Sequence, residues 1–126
     1  MRIFASRRGR MIWTVIGVAI LAGIWVGSLM PIERLPRVGG GDKLHHFAAY
    51  AACGFWWCLF ATTWRARIGW TIGLALMGGV IEVLQGASGY RHFEVADMIA
   101  NAMGAVTGGT LATLMPIRSD QVSRAS

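Results

Sequence analysis

Long apolar runs alternate with short polar breaks along the chain, and the spacing of the breaks predicts four membrane-spanning helices. The first run extends from about Met11 to Met30, roughly 20 residues without an acidic or basic side chain, which is the length a bilayer core requires of a helix. A second extends from about Leu44 to Trp64, a third from about Ile68 to Tyr90 and a fourth from about Val95 to Pro116. A secretory signal is the rival reading of the first run. The run is longer than a typical signal core, and the residues after Gly27 offer no clear A-x-A cleavage site, so a retained helix is expected.

The breaks have their own chemistry. Pro31, Pro36 and Gly39-Gly40-Gly41 predict a loop, because proline ends helices and glycine permits turns. Arg65-Ala66-Arg67 is so short a link that the second and third helices must form an antiparallel hairpin. The chain thus divides into a basic N-terminus over residues 1–10, an all-α four-helix transmembrane domain over 11–117 and a short tail over 118–126.

Composition strengthens this picture. Hydrophobic residues make up 55% of the 126 and charged ones 14%, a poor match to a water-soluble domain. Mean hydropathy is +0.51. From Ile68 to Ile117 the acidic and basic residues are Glu82, Arg91, Glu94 and Asp97, too few to solvate a surface in water. The net charge of +6 lies in short clusters between apolar spans and forms no continuous stripe, which argues against a nucleic-acid partner and for membrane lipids. Cys53 and Cys58 lie five apart on one helix, turned away from each other, and are read as buried packing residues.

Orientation follows from the basic residues. A four-span arrangement puts eight Lys and Arg on the side of the two termini and four on the other, so both termini are expected in the cytoplasm. Trp13, Trp64 and Trp70 fall at that cytoplasmic boundary. Small residues recur at four-residue spacing as Gly23 and Gly27, Ala48 and Ala52, Gly69 and Gly73, and Gly104 and Gly108. Such pairs let helix backbones approach in lipid, and they are read as packing faces of a compact bundle, with a homo-oligomer left open.

Polar side chains inside a membrane are costly, so each is a candidate for function. Asp42, His46 and Tyr50 climb one face of the second helix at i, i+4 and i+8. Glu82 and Gln85 share a face near the end of the third, and Asp97 and Asn101 share one near the start of the fourth. The proposed topology brings all three groups to the outer side, with Lys43 and Arg91 at the rim. Asp42 also suits a helix start, His45 is expected to face lipid or water, and Glu82, Gln85 and Asn101 also suit interhelical hydrogen bonding.

These residues form three ordered blocks, D-K-x-x-H-F-x-x-Y from Asp42 to Tyr50, E-x-x-Q from Glu82 to Gln85, and R-x-x-x-x-x-D-x-x-x-N-x-x-G from Arg91 to Gly104. Together the blocks resemble the signature of the VanZ-like membrane proteins over about Gly41 to Gly109. The resemblance implies a multi-pass protein of the bacterial inner membrane and cell envelope, in a family associated with glycopeptide antibiotic resistance, specifically to teicoplanin. It lends weight to Asp42, Lys43, His46, Tyr50, Glu82, Gln85, Arg91, Asp97, Asn101 and Gly104 without assigning their roles.

Three functions are compatible with the pattern. One is recognition of an amphiphile, such as a lipid-linked cell-wall intermediate or a lipoglycopeptide, with Lys43 and Arg91 on an anionic head group. A second is hydrolysis or transfer of an envelope lipid group, with His46 as base, Asp42 or Asp97 holding it and Glu82 as acid. No serine or cysteine nucleophile lies obviously beside the histidine. No H-E-x-x-H or comparable spacing supports a divalent ion at His46, Glu82 and Asp97, so neither metal nor cofactor is expected. A third is proton or solute passage, which the lack of matching polar residues in the cytoplasmic half disfavours.

Overall fold

The structure is a computed structural model that describes residues 6–34 and 39–115. Four antiparallel helices account for nearly all of them, and the described residues contain no strand. Helix α1, Arg7–Leu29, starts where the Ser6 hydroxyl accepts the Gly9 N–H at 2.9 Å. It stops at Met30, whose extended backbone is what a following proline favours. A single 3-10 turn, Ile32–Arg34, follows. Gly40 and Gly41, both at positive φ, then turn the chain into α2, Asp42–Phe60. The expectations for Pro36, Arg37 and the tail from Pro116 onward lie outside the described residues.

Helix α3, Trp64–Ala87, corrects the expected hairpin link. The turn between α2 and α3 lies at Ala61–Thr63, and Arg65 and Arg67 belong to the first turn of α3. Thr63 decides the boundary, because its hydroxyl accepts the Ala66 N–H at 3.2 Å and so starts the helix at Trp64, four residues earlier than the arginines suggest. Arg67 is buried, and its Nε donates to the Ala61 carbonyl at 3.3 Å, closing the turn from inside. Helix α4, Val95–Leu114, completes the bundle.

The closest seam runs between α2 and α4. A methyl group on Gly104 would run into the Phe47 carbonyl oxygen, and one on Gly108 would run into that of Ala51. From the other side, a Cβ on Gly54 would lie 2.7 Å from the Ala105 carbonyl oxygen. The two backbones are therefore in contact, and only glycine fits at these three positions. Of the four small-residue pairs expected to pack, this is the one that does. A Cβ on Gly23, Gly27, Gly69 or Gly73 would meet nothing within 4 Å, and Ala48 and Ala52 are exposed. Four-residue spacing identifies a smooth helix face but not the neighbour that covers it.

Helix α1 is fastened at both ends. At one end Trp13 stacks on Trp56 with centroids 3.7 Å apart, and Gly17 lies under the Trp56 and Trp57 rings. Trp57 in turn stacks on Trp70, with centroids 4.2 Å apart. At the other end Gln85 Nε2 donates to the Ser28 carbonyl at 2.7 Å, and the Tyr90 hydroxyl donates to that of Leu29 at 2.6 Å. Between these ties α1 buries little. Cys53 and Cys58 are both buried, and each is a free thiol.

Polarity is inverted relative to a protein folded in water. Glu82, Gln85 and Asn101 are among the fully buried side chains, whereas Val15, Leu76, Val106 and Leu114 are exposed. Helices α1 and α3 are each long and apolar enough to cross a membrane. Hydrocarbon, not water, is the solvent that suits this surface.

The α2–α4 seam predicts a sharp contrast among glycines. Replacing Gly104 or Gly108 with valine is expected to lower the thermal midpoint in detergent, an overpacking cost of about 1–3 kcal/mol or more. Gly69→Ala, in open space on a helix, should leave the midpoint unchanged or raise it.

Candidate functional site

One end of the bundle gathers the starts of α2 and α4 and the end of α3, and nearly every polar residue singled out in the sequence lies there. His46 sits at its centre, 8% exposed. The Asn101 amide oxygen can only accept, so the 2.9 Å contact with His46 makes Nδ1–H the donor. Nε2 is then the ring atom that faces two carboxylates, Asp42 Oδ2 at 3.6 Å and Asp97 Oδ2 at 3.7 Å. The i, i+4 spacing on α2 places Asp42. Asp97 and Asn101 come from the same face of α4, and the glycine seam brings that face against α2.

A second layer holds these groups. Lys43 Nζ donates to Asp97 Oδ1 at 3.2 Å and to Glu94 Oε2 at 2.6 Å. The lysine's hydrogen bond holds the Glu94 carboxyl below its ordinary value. Glu82 Oε1 accepts the Glu94 backbone N–H at 2.7 Å, fixing the start of α4 from within α3. Gln85 is committed to α1 through Ser28. His45 is exposed and meets the Gly39 carbonyl at 3.1 Å.

The structure therefore separates residues that the sequence grouped. Lys43, expected at the rim with Arg91 as a free positive charge, already has two carboxylates. Arg91 is 9% exposed and its Nη1 has no hydrogen-bond partner among the described residues; Tyr50 Oη, Asn101 Nδ2 and Glu82 Oε2 share that condition. Such buried groups are expensive to leave unmatched. Glu82, expected beside His46 and Asp97 as an acid or a ligand, spends one oxygen on the α4 start. The carboxylates within 4 Å of the histidine ring are Asp42 and Asp97, as expected of the groups that hold it. Glu94, Ser28 and Tyr90 also take part, and the sequence pattern marks none of them as site residues. Their roles depend on contacts across more than 50 residues of chain, and no local spacing reports them.

Beside this end lies a cleft of about 520 Å³, within the size range of small-ligand sites. Helix α1 supplies one wall through Ile20, Gly23, Ile24 and Gly27, and α2 supplies the other through Ala49 and Ala52. Asp42, His46, Tyr50 and Arg91 line its polar end. Gly23 and Ala52 are exposed at its edge, so the cleft opens sideways between the two helices.

Comparison with curated proteins and with solved structures returns no match. The VanZ/LLP1 family profile, by contrast, matches residues 6–116, nearly the whole chain and all four helices. A four-helix chain with an apolar exterior, carrying the D-K-x-x-H, E-x-x-Q and D-x-x-x-N blocks at one end of the bundle, belongs to the VanZ/LLP1 family.

Proposed function

We propose that this protein crosses the bacterial inner membrane four times with both termini in the cytoplasm, and that its cleft binds an amphiphile at the outer side. The 19 residues of α2 and 20 of α4 would each span about 30 Å. Their buried polar side chains, His46 on α2 and Asp97 and Asn101 on α4, turn toward each other, which lowers the hydropathy of both helices while keeping these groups inside the bundle. The eight-to-four excess of basic residues supports the orientation.

The observation that carries the binding reading is the cleft itself. Its apolar walls suit an acyl or prenyl chain entering sideways from the bilayer, and its far end offers a buried guanidinium and a buried phenol, each with an unmatched atom. Arginine there suits a phosphate or carboxylate head group. Lipid-linked cell-wall intermediates and lipoglycopeptides both have this two-part chemistry, which fits an accessory envelope role of the kind associated with teicoplanin resistance. A second reading rests on His46, whose Nε2 lies at the cleft between two carboxylates. There it could serve as the base in hydrolysis or transfer of an envelope lipid group, in which case turnover of a bound lipid would vanish in His46→Ala.

Native mass spectrometry of the purified protein tests the binding reading. Arg91→Gln is expected to lose a co-purifying anionic lipid by about tenfold or more, as removal of a charged hydrogen bond predicts. Lys43→Ala, whose charge is already matched, should have the smaller effect. Filling the wall with Gly23→Leu, which meets no neighbour, should expel the lipid without lowering the thermal midpoint. Equal lipid occupancy in wild type, Arg91→Gln and Gly23→Leu would overturn the proposal.

A further inference from the structure

We infer that Asp42, His46 and Asp97 form a binding site for a divalent transition-metal ion of the zinc class, with one coordination position open to the cleft. The donor atoms of the three residues all lie within 4.8 Å of one another. His46 Nε2 is 3.6 Å from Asp42 Oδ2 and 3.7 Å from Asp97 Oδ2. Metal–ligand bonds of about 2.0–2.2 Å in a tetrahedron place donor atoms about 3.3–3.6 Å apart, so small side-chain movements close the site. Asp42, about half exposed, is free to make them.

Each buried ligand is oriented by a further group. Asn101 takes the proton on Nδ1 and leaves the Nε2 lone pair outward, the arrangement in which imidazole binds metals. Lys43 holds Asp97 by Oδ1 and leaves Oδ2 toward the histidine. A divalent cation placed at Nε2 would be attracted by both carboxylates as well as by the ring nitrogen. One imidazole with two carboxylates favours zinc or a neighbouring transition ion over magnesium or calcium.

Independent support comes from the cleft. Tyr50 Oη and Arg91 Nη1 have no hydrogen-bond partner among the described residues, and both residues line the same cleft as Asp42 and His46, from which a fourth ligand, water or an anionic oxygen, would come. The metal set weighed from the sequence is His46, Glu82 and Asp97, which no ligand spacing supports. The structure substitutes Asp42, whose i, i+4 relation to His46 is ordinary helical spacing. The site stands apart from the amphiphile reading, since it can be tested on protein without lipid.

Zinc titration by calorimetry on EDTA-stripped protein in a nonionic detergent, with cobalt(II) absorption as a coordination signature, tests the site. Wild type is expected to bind one ion per chain and to give a cobalt spectrum of a low-coordinate site. Asp42→Asn, at an exposed position where folding is not at stake, and Asp97→Asn should each weaken binding by at least about tenfold. His92→Ala, at an exposed histidine outside the cluster, should bind as wild type does. No saturable zinc binding in wild type, undiminished affinity in Asp42→Asn, or loss in His92→Ala would overturn the site.

Discussion

Backbone contact between α2 and α4 is the constraint on which the rest depends. Three glycines, Gly54, Gly104 and Gly108, have no room for a side chain because the opposite helix's backbone occupies that space. In lipid no hydrophobic force drives helices together, and close packing with interhelical hydrogen bonding takes its place. The seam has both. Above the glycines, the same two helices face each other through His46 and Asn101, and through Lys43 and Asp97. The contact that stabilises the bundle is also what assembles the polar cluster.

That cluster is layered. His46 and Asp97 are oriented by Asn101 and Lys43, and the start of α4 is in turn fixed by Glu82 through the Glu94 backbone. Most of the buried polar side chains are thus supports. Within the cluster, the atoms unmatched among the described residues lie on Tyr50, Arg91, Asn101 and Glu82, and two of these residues line the cleft. A structural network would be expected to satisfy itself. Unmatched atoms beside a cavity are more readily understood as awaiting a ligand, which is what the amphiphile proposal supplies.

Helix α1 contributes a wall without sharing in the cluster. It is tied by stacked tryptophans at one end and by Gln85 and Tyr90 at the other, and the cleft occupies the interval. The smooth stripe of Gly23 and Gly27 therefore widens a cavity, whereas an equal stripe on α4 closes a seam. The same spacing has opposite consequences because the neighbour differs.

Local chemistry determined what the sequence could reveal. Apolar run lengths gave four helices, with α3 displaced at its start because the Thr63 cap outranks the arginine pair. Helical spacing put Asp42, His46 and Tyr50 on one face, and the inner polar residues stood out because hydrocarbon tolerates few of them. Tertiary structure decided the rest. It matched Lys43 to Glu94 and left Arg91 at the cleft, brought Asp97 of α4 against the histidine, and chose Gly104 and Gly108 from four similar pairs. The reason is physical: periodicity fixes which residues share a face, but the partner of a face depends on how distant helices pack, and no local spacing encodes that.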